Sequence, residues 1–82
     1  MLLLLSFLSI AFSTPYDDGV QAYRNGDLSR ALEYFSKAER TGDNKTQIKA
    51  SYMQGAILAA QKKWTASQNT FDRILQRSTE TS

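Results

Sequence analysis

Residues 19–38 read Gly19-Val20-Gln21-Ala22-Tyr23-Arg24-Asn25-Gly26-Asp27-Leu28-Ser29-Arg30-Ala31-Leu32-Glu33-Tyr34-Phe35-Ser36-Lys37-Ala38, and their reading decides the fold. At the centre stands Asn25-Gly26-Asp27. Glycine tolerates the left-handed backbone of a tight turn, and an aspartate carboxylate can accept from the first free amides of a following helix. After the turn, Leu28, Ala31, Leu32, Phe35 and Ala38 fall at i, i+3, i+4 and i+7 spacing, the stripe of a helix with one buried face. Glu33 and Lys37 add a surface pair in the favourable order, worth about 0.3 kcal/mol. Before the turn, Val20 and Tyr23 continue a helical spacing that begins at Tyr16. The stretch is a helix, a turn and a helix.

Working outward, Thr14-Pro15-Tyr16-Asp17 supplies a capping hydroxyl, a proline for the first helical position and an acid for the first turn. Downstream, Thr41-Gly42-Asp43-Asn44 ends the second helix. Asn44, with Gln47 three residues later, reads as a capping box for a third helix running to about Gln61, with a lengthened loop at 43–45 before it. Its apolar face is Ile48, Tyr52, Gly55, Ala56, Leu58 and Ala59. Lys62-Lys63 turns the chain, and a fourth helix from Trp64 to about Gln76 carries Ser67, Phe71, Ile74 and Leu75. Residues 77–82 read as a polar tail. No stretch alternates with the period of a strand. The chain, shifted against itself by 36 residues, brings Tyr16 onto Tyr52, Gly19 onto Gly55, Leu28 onto Trp64, Ala31 onto Ser67 and Phe35 onto Phe71. Self-similarity at such a period is the mark of a repeat architecture. The expected fold is all-α: two stacked helix-turn-helix units over residues 14–76.

The order Gly, then Gly-Asp, then Ala-x3-Phe, then Ala resembles the tetratricopeptide repeat, on Gly19, Gly26-Asp27, Ala31, Phe35 and Ala38. The second copy matches at Gly55, Ser67 and Phe71, with Ile74 at the last alanine. The resemblance spans about residues 15–76 and implies a short right-handed α-solenoid. Gly19 and Gly55 are expected where paired helices cross closely, and Phe35 and Phe71 between neighbouring pairs. The departures are clear. Pro15 and Ser51 stand at the leading tryptophan, Asp18 and Gln54 at the leucine before each glycine, and no proline closes either copy.

In that family the first helix of each pair lines a concave side that receives an extended peptide or a partner's helix. Carried onto this chain, the side holds Tyr16, Val20, Tyr23 and Arg24 from the first copy and Lys49, Tyr52, Met53, Ala56 and Ala60 from the second. Tyrosine suits such a surface because its ring buries area while its hydroxyl stays satisfied. Tyr16, Val20 and Tyr52 have packing between helices as their other reading. Val20 and Ala56 stand where chaperone adaptors of the family carry carboxylate-gripping asparagines, so no carboxylate clamp is expected. The resemblance thus implies a protein-interaction module with a protein or peptide partner.

Composition narrows the chemistry. The 82 residues include no cysteine and no histidine, with ten Lys/Arg against eight Asp/Glu. Disulfides, thiol nucleophiles, the Ser-His-Asp triad and the usual zinc sites therefore drop out. A formal charge of +2 is no electrostatic footprint for nucleic acid. Asp17 and Asp18 complement a helix N-terminus, and the remaining acids read as solvated singletons, so no catalytic residue, metal or cofactor is expected. Asn44-Lys45-Thr46 is a glycosylation sequon, meaningful only in a eukaryotic secretory route.

Ahead of the repeats, Leu2 to Phe12 is an uncharged apolar run of eleven residues followed by Ser13. An apolar core of that length, with small residues in Ala11-Phe12-Ser13, fits a secretory signal peptide over residues 1–13 better than a bilayer span of about 20 residues. A buried or membrane-dipping N-terminal helix is the other reading, since no Lys or Arg precedes the run. The first reading implies a secreted or periplasmic protein that meets the membrane only transiently, and a retained leader implies an anchored one. Phe71, Ile74 and Leu75 on the last helix leave an apolar side open, which points to self-association, as a homodimer, as the alternative role.

Overall fold

The computed structural model describes residues 13–81, so the apolar run at residues 2–12 lies outside them. Four helices follow one another: α1 Pro15–Arg24, α2 Leu28–Thr41, α3 Asn44–Ala60 and α4 Trp64–Thr81. Each packs against the next in the chain. No strand occurs among the described residues, and none of their helices is long and apolar enough to cross a membrane.

Local chemistry starts and stops these helices. Thr14 Oγ1 accepts from the Asp17 amide at 3.1 Å and the Asp17 carboxylate accepts from the Thr14 amide at 3.5 Å, a reciprocal cap that Pro15 extends by presetting the first helical φ. Asp27 caps α2 by accepting from the Arg30 amide at 3.2 Å. The start of α3 departs from the sequence expectation. Asp43, not Asn44, is its cap, accepting from the Thr46 amide at 2.8 Å, and residues 44 and 45 form a first helical turn rather than a lengthened loop. Gln47 reaches back to the Gly42 carbonyl at 3.2 Å instead of closing a box. Hydrogen bonding to Thr46, aided by Lys45 and Lys49, holds the Asp43 carboxyl below the ordinary value, and its charge complements the helix N-terminus. At the other end α4 continues to Thr81, past the expected stop near Gln76. Nothing in Ser78-Thr79-Glu80 forbids helix, whereas α2 stops at Gly42.

The two turns that reverse the chain within helix pairs share one hydrogen-bond scheme. The Gly26 and Asp27 amides donate to Tyr23 and Ala22 carbonyls at 3.0 and 2.9 Å; 36 residues on, Lys62 and Lys63 donate to Ala59 and Leu58, both at 2.9 Å. Both schemes need a left-handed residue, and the φ values are +80° at Gly26 and +63° at Lys62. Lysine pays the Cβ penalty that glycine avoids.

Small residues then allow the helices together. An ideal Cβ on Gly19 would lie 2.8 Å from the Phe35 ring, and one on Gly55 would lie 2.8 Å from the Phe71 ring. Phe35 thus meets α1 at Gly19 and is fully buried in a core that also takes Ala50 and Ile57 from α3, in keeping with the expected place between neighbouring pairs. Ser67, at the place of Ala31, is buried and donates to the Gly55 carbonyl at 2.8 Å, so its hydroxyl is satisfied where it is desolvated. The core is Ala22, Ala31, Phe35, Ala38, Ala50 and Ile57, flanked by Tyr16, Val20, Leu28, Leu32, Tyr34 and Met53.

Candidate functional site: the face of α1 and α3

The residues expected on a binding face divide into three groups. Tyr23, Arg24, Lys49, Tyr52 and Ala60 are exposed. Tyr16, Val20 and Met53 are half-buried and pack on the core from its edge, and Ala56 is half-buried on α3. Of these, the fold brings two from different helices into contact. Lys49 Nζ sits 4.7 Å from the centre of the Tyr16 ring, a cation held over an electron-rich face. The Tyr16 ring in turn meets Phe35 edge-on, centroids 5.3 Å apart at 65°. Tyr52 and Phe71 repeat the arrangement at 5.6 Å and 65°.

Tyr16 and Lys49 both line a cavity of about 420 Å³ between the start of α1, the end of α2 and the first turns of α3. Thr14, Pro15, Asp17 and Ala38 line it too, as do Thr41, Gly42 and Thr46. Those last three carried no signal in the sequence, since each reads as an ordinary helix-terminus residue. Gly42 matters here by its size: an added Cβ would fall 2.6 Å from Thr46 Cγ2 and 2.7 Å from the Ala38 carbonyl. The wall offers hydroxyls, an ammonium, the Asp17 carboxylate and an aromatic edge, groups that can make polar, ionic and aromatic contacts.

A second polar cluster lies between the helix pairs and contradicts the reading of Glu39 as a solvated singleton. Its carboxylate accepts from Ser51 Oγ at 2.7 Å, from Gln54 Nε2 at 2.9 Å and from Arg73 Nη1 at 3.1 Å. Glu39 thereby ties α2 to both α3 and α4, with its side chain only 14% exposed. Burial pushes its carboxyl upward, but the hydrogen bonds from Ser51 and Gln54 and the charges of Arg73 and Arg77 outweigh that and hold it below the ordinary value. The available signal was position: Glu39 lies four residues after Phe35, on the side of α2 that meets α3.

Among the described residues no three acidic side chains gather as a metal site would require. The expected self-association trio on α4 is graded: Phe71 and Ile74 are half-buried, and Leu75 is 66% exposed. Compared with known proteins, the chain matches no family model, no curated protein and no solved structure.

Proposed function

We propose that this chain is an exported protein-interaction module of two tetratricopeptide-like repeats, a short right-handed α-solenoid whose α1 and α3 face takes a peptide or a partner's helix, with no catalysis of its own. The observation that carries the reading is recurrence at a fixed offset. The glycine–phenylalanine crossing, the edge-on tyrosine and the left-handed turn each appear twice, 36 residues apart. A contact set that recurs in this way is one supersecondary unit used twice, which is how solenoids are assembled. Exposed Tyr23, Lys49 and Tyr52 on the first helices of the two pairs support the choice of face. Export rests on the apolar run at residues 2–12.

Panning a random peptide library against the purified chain tests the reading. Captured peptides are expected to lose at least tenfold in affinity to Lys49→Ala and to Tyr52→Ala, both exposed positions whose truncation spares the core. A library that yields no binder, or binders indifferent to both changes, contradicts it.

A further inference from the structure

Helix α4 carries a second surface, independent of whether the α1 and α3 face takes a peptide. Two of the four large apolar side chains exposed among the described residues, Trp64 (63%) and Leu75 (66%), lie on α4. Trp64, Gln68, Phe71 and Leu75 follow at spacings of four, three and four, so they share one stripe along α4. The same stripe exists 36 residues earlier as Leu28, Leu32, Phe35 and Glu39. There α3 lies over it. Phe35 is 0% exposed, Leu28 and Leu32 pack on the core, and Glu39 accepts from Ser51 and Gln54. The molecule thus holds its own template for what such a stripe receives: a helix laid along it.

Charge decides which helix. The positions of α1 equivalent to Ser51 and Gln54 are Pro15 and Asp18. A second copy added head to tail would press the Asp18 carboxylate onto Leu75, which offers no donor, and an unpaired buried carboxylate is strongly disfavoured. Asp72 and Arg73 lie off the α4 stripe, and Arg73 is paired with Glu39, so the stripe is apolar but for Gln68 and can meet its own copy, apolar against apolar with Gln68 near the middle. A contact of one surface with itself closes after two subunits. We infer that two copies of this chain pair through the Trp64, Gln68, Phe71 and Leu75 stripe of α4 about a two-fold axis. The stripe is short, about 16 Å of helix axis, and its contact falls well under the ~800 Å² per partner of a standard interface. The pair therefore exchanges with monomer as concentration changes.

Sedimentation equilibrium of the full chain over a dilution series reads that exchange. Leu75→Glu installs the residue that the first pair carries at this place; it is expected to weaken pairing at least tenfold with the helical circular dichroism unchanged. A second readout separates this contact from association through the apolar run at residues 2–12. The chain has no cysteine, so Gln68→Cys and Asp18→Cys each introduce a single thiol. Oxidation is expected to give a covalent dimer from Gln68→Cys and none from Asp18→Cys. A monomer at millimolar concentration, a dimer untouched by Leu75→Glu, or particles that keep growing beyond two copies overturns the inference.

Discussion

Single residues carry unequal shares of this fold, and Glu39 shows how a polar one can matter. Its carboxylate is the meeting point of three donors from two helices, and removing one member of such a cluster leaves the others desolvated without a partner. Its carboxyl is held below the ordinary value in the folded chain. Its stabilising effect is therefore complete above the unfolded-state pKa of about 4.3 and fades as pH falls through the lower folded value. Glu39→Gln is expected to cost about 1–2 kcal/mol at pH 7, since it keeps the shape but loses the charge facing Arg73. Thermal melts compared at pH 7 and near pH 3 check this: the gap between variant and wild type narrows at the acidic end. The residue was only half legible in the sequence, for a physical reason. Helical period says which side of α2 a residue occupies, but not that Ser51, Gln54 and Arg73 converge on it from other helices. Gly19 and Phe35 were legible, because a glycine inside a helix and an aromatic on the facing stripe imply close approach.

At the scale of elements, the two helix pairs share a turn geometry and a glycine–phenylalanine crossing but differ in their turn residues. The first uses Gly26-Asp27: a residue at ease with positive φ, followed by a cap. The second uses Lys62-Lys63, with φ +63° at Lys62. A left-handed lysine is disfavoured by roughly 1 kcal/mol relative to glycine, and a missing cap forgoes about 1 kcal/mol more. The double substitution Lys62→Gly with Lys63→Asp, which writes the first turn into the second, is thus expected to stabilise the chain by about 1–2 kcal/mol, read as a higher denaturant midpoint at unchanged slope. Helix number and order were readable because stripes and turns alternate cleanly along residues 14–76. The ends were less so. Asp43 and Asn44 are adjacent and both are good caps, and the charged one starts α3. The polar residues after Gln76 lack an apolar stripe, yet α4 runs on through them to Thr81.

Across the whole molecule, burial is uneven. The core gathers around Phe35 and Ile57, where α3 covers the first pair, while the corresponding side of α4 leaves Trp64 and Leu75 exposed. The proposed repeat accounts for both facts: α3 covers the first pair, and the matching stripe of α4 is exposed. It also accounts for the α1 and α3 face, because repetition places Tyr16 and Tyr52 in the same relation to the ring beneath each. The contacts that recur at the 36-residue offset were visible in the sequence. The cavity wall of Thr41, Gly42 and Thr46 was not, because it forms only when the end of α2 meets the start of α3. The most direct test is a nuclear Overhauser spectrum with labelled phenylalanine and tyrosine rings. The account predicts contacts from Phe35 to Gly19 and Tyr16 and, separately, from Phe71 to Gly55 and Tyr52. A Phe71 ring found against α1 or α2 instead would contradict the repeated pair and describe a single closed bundle.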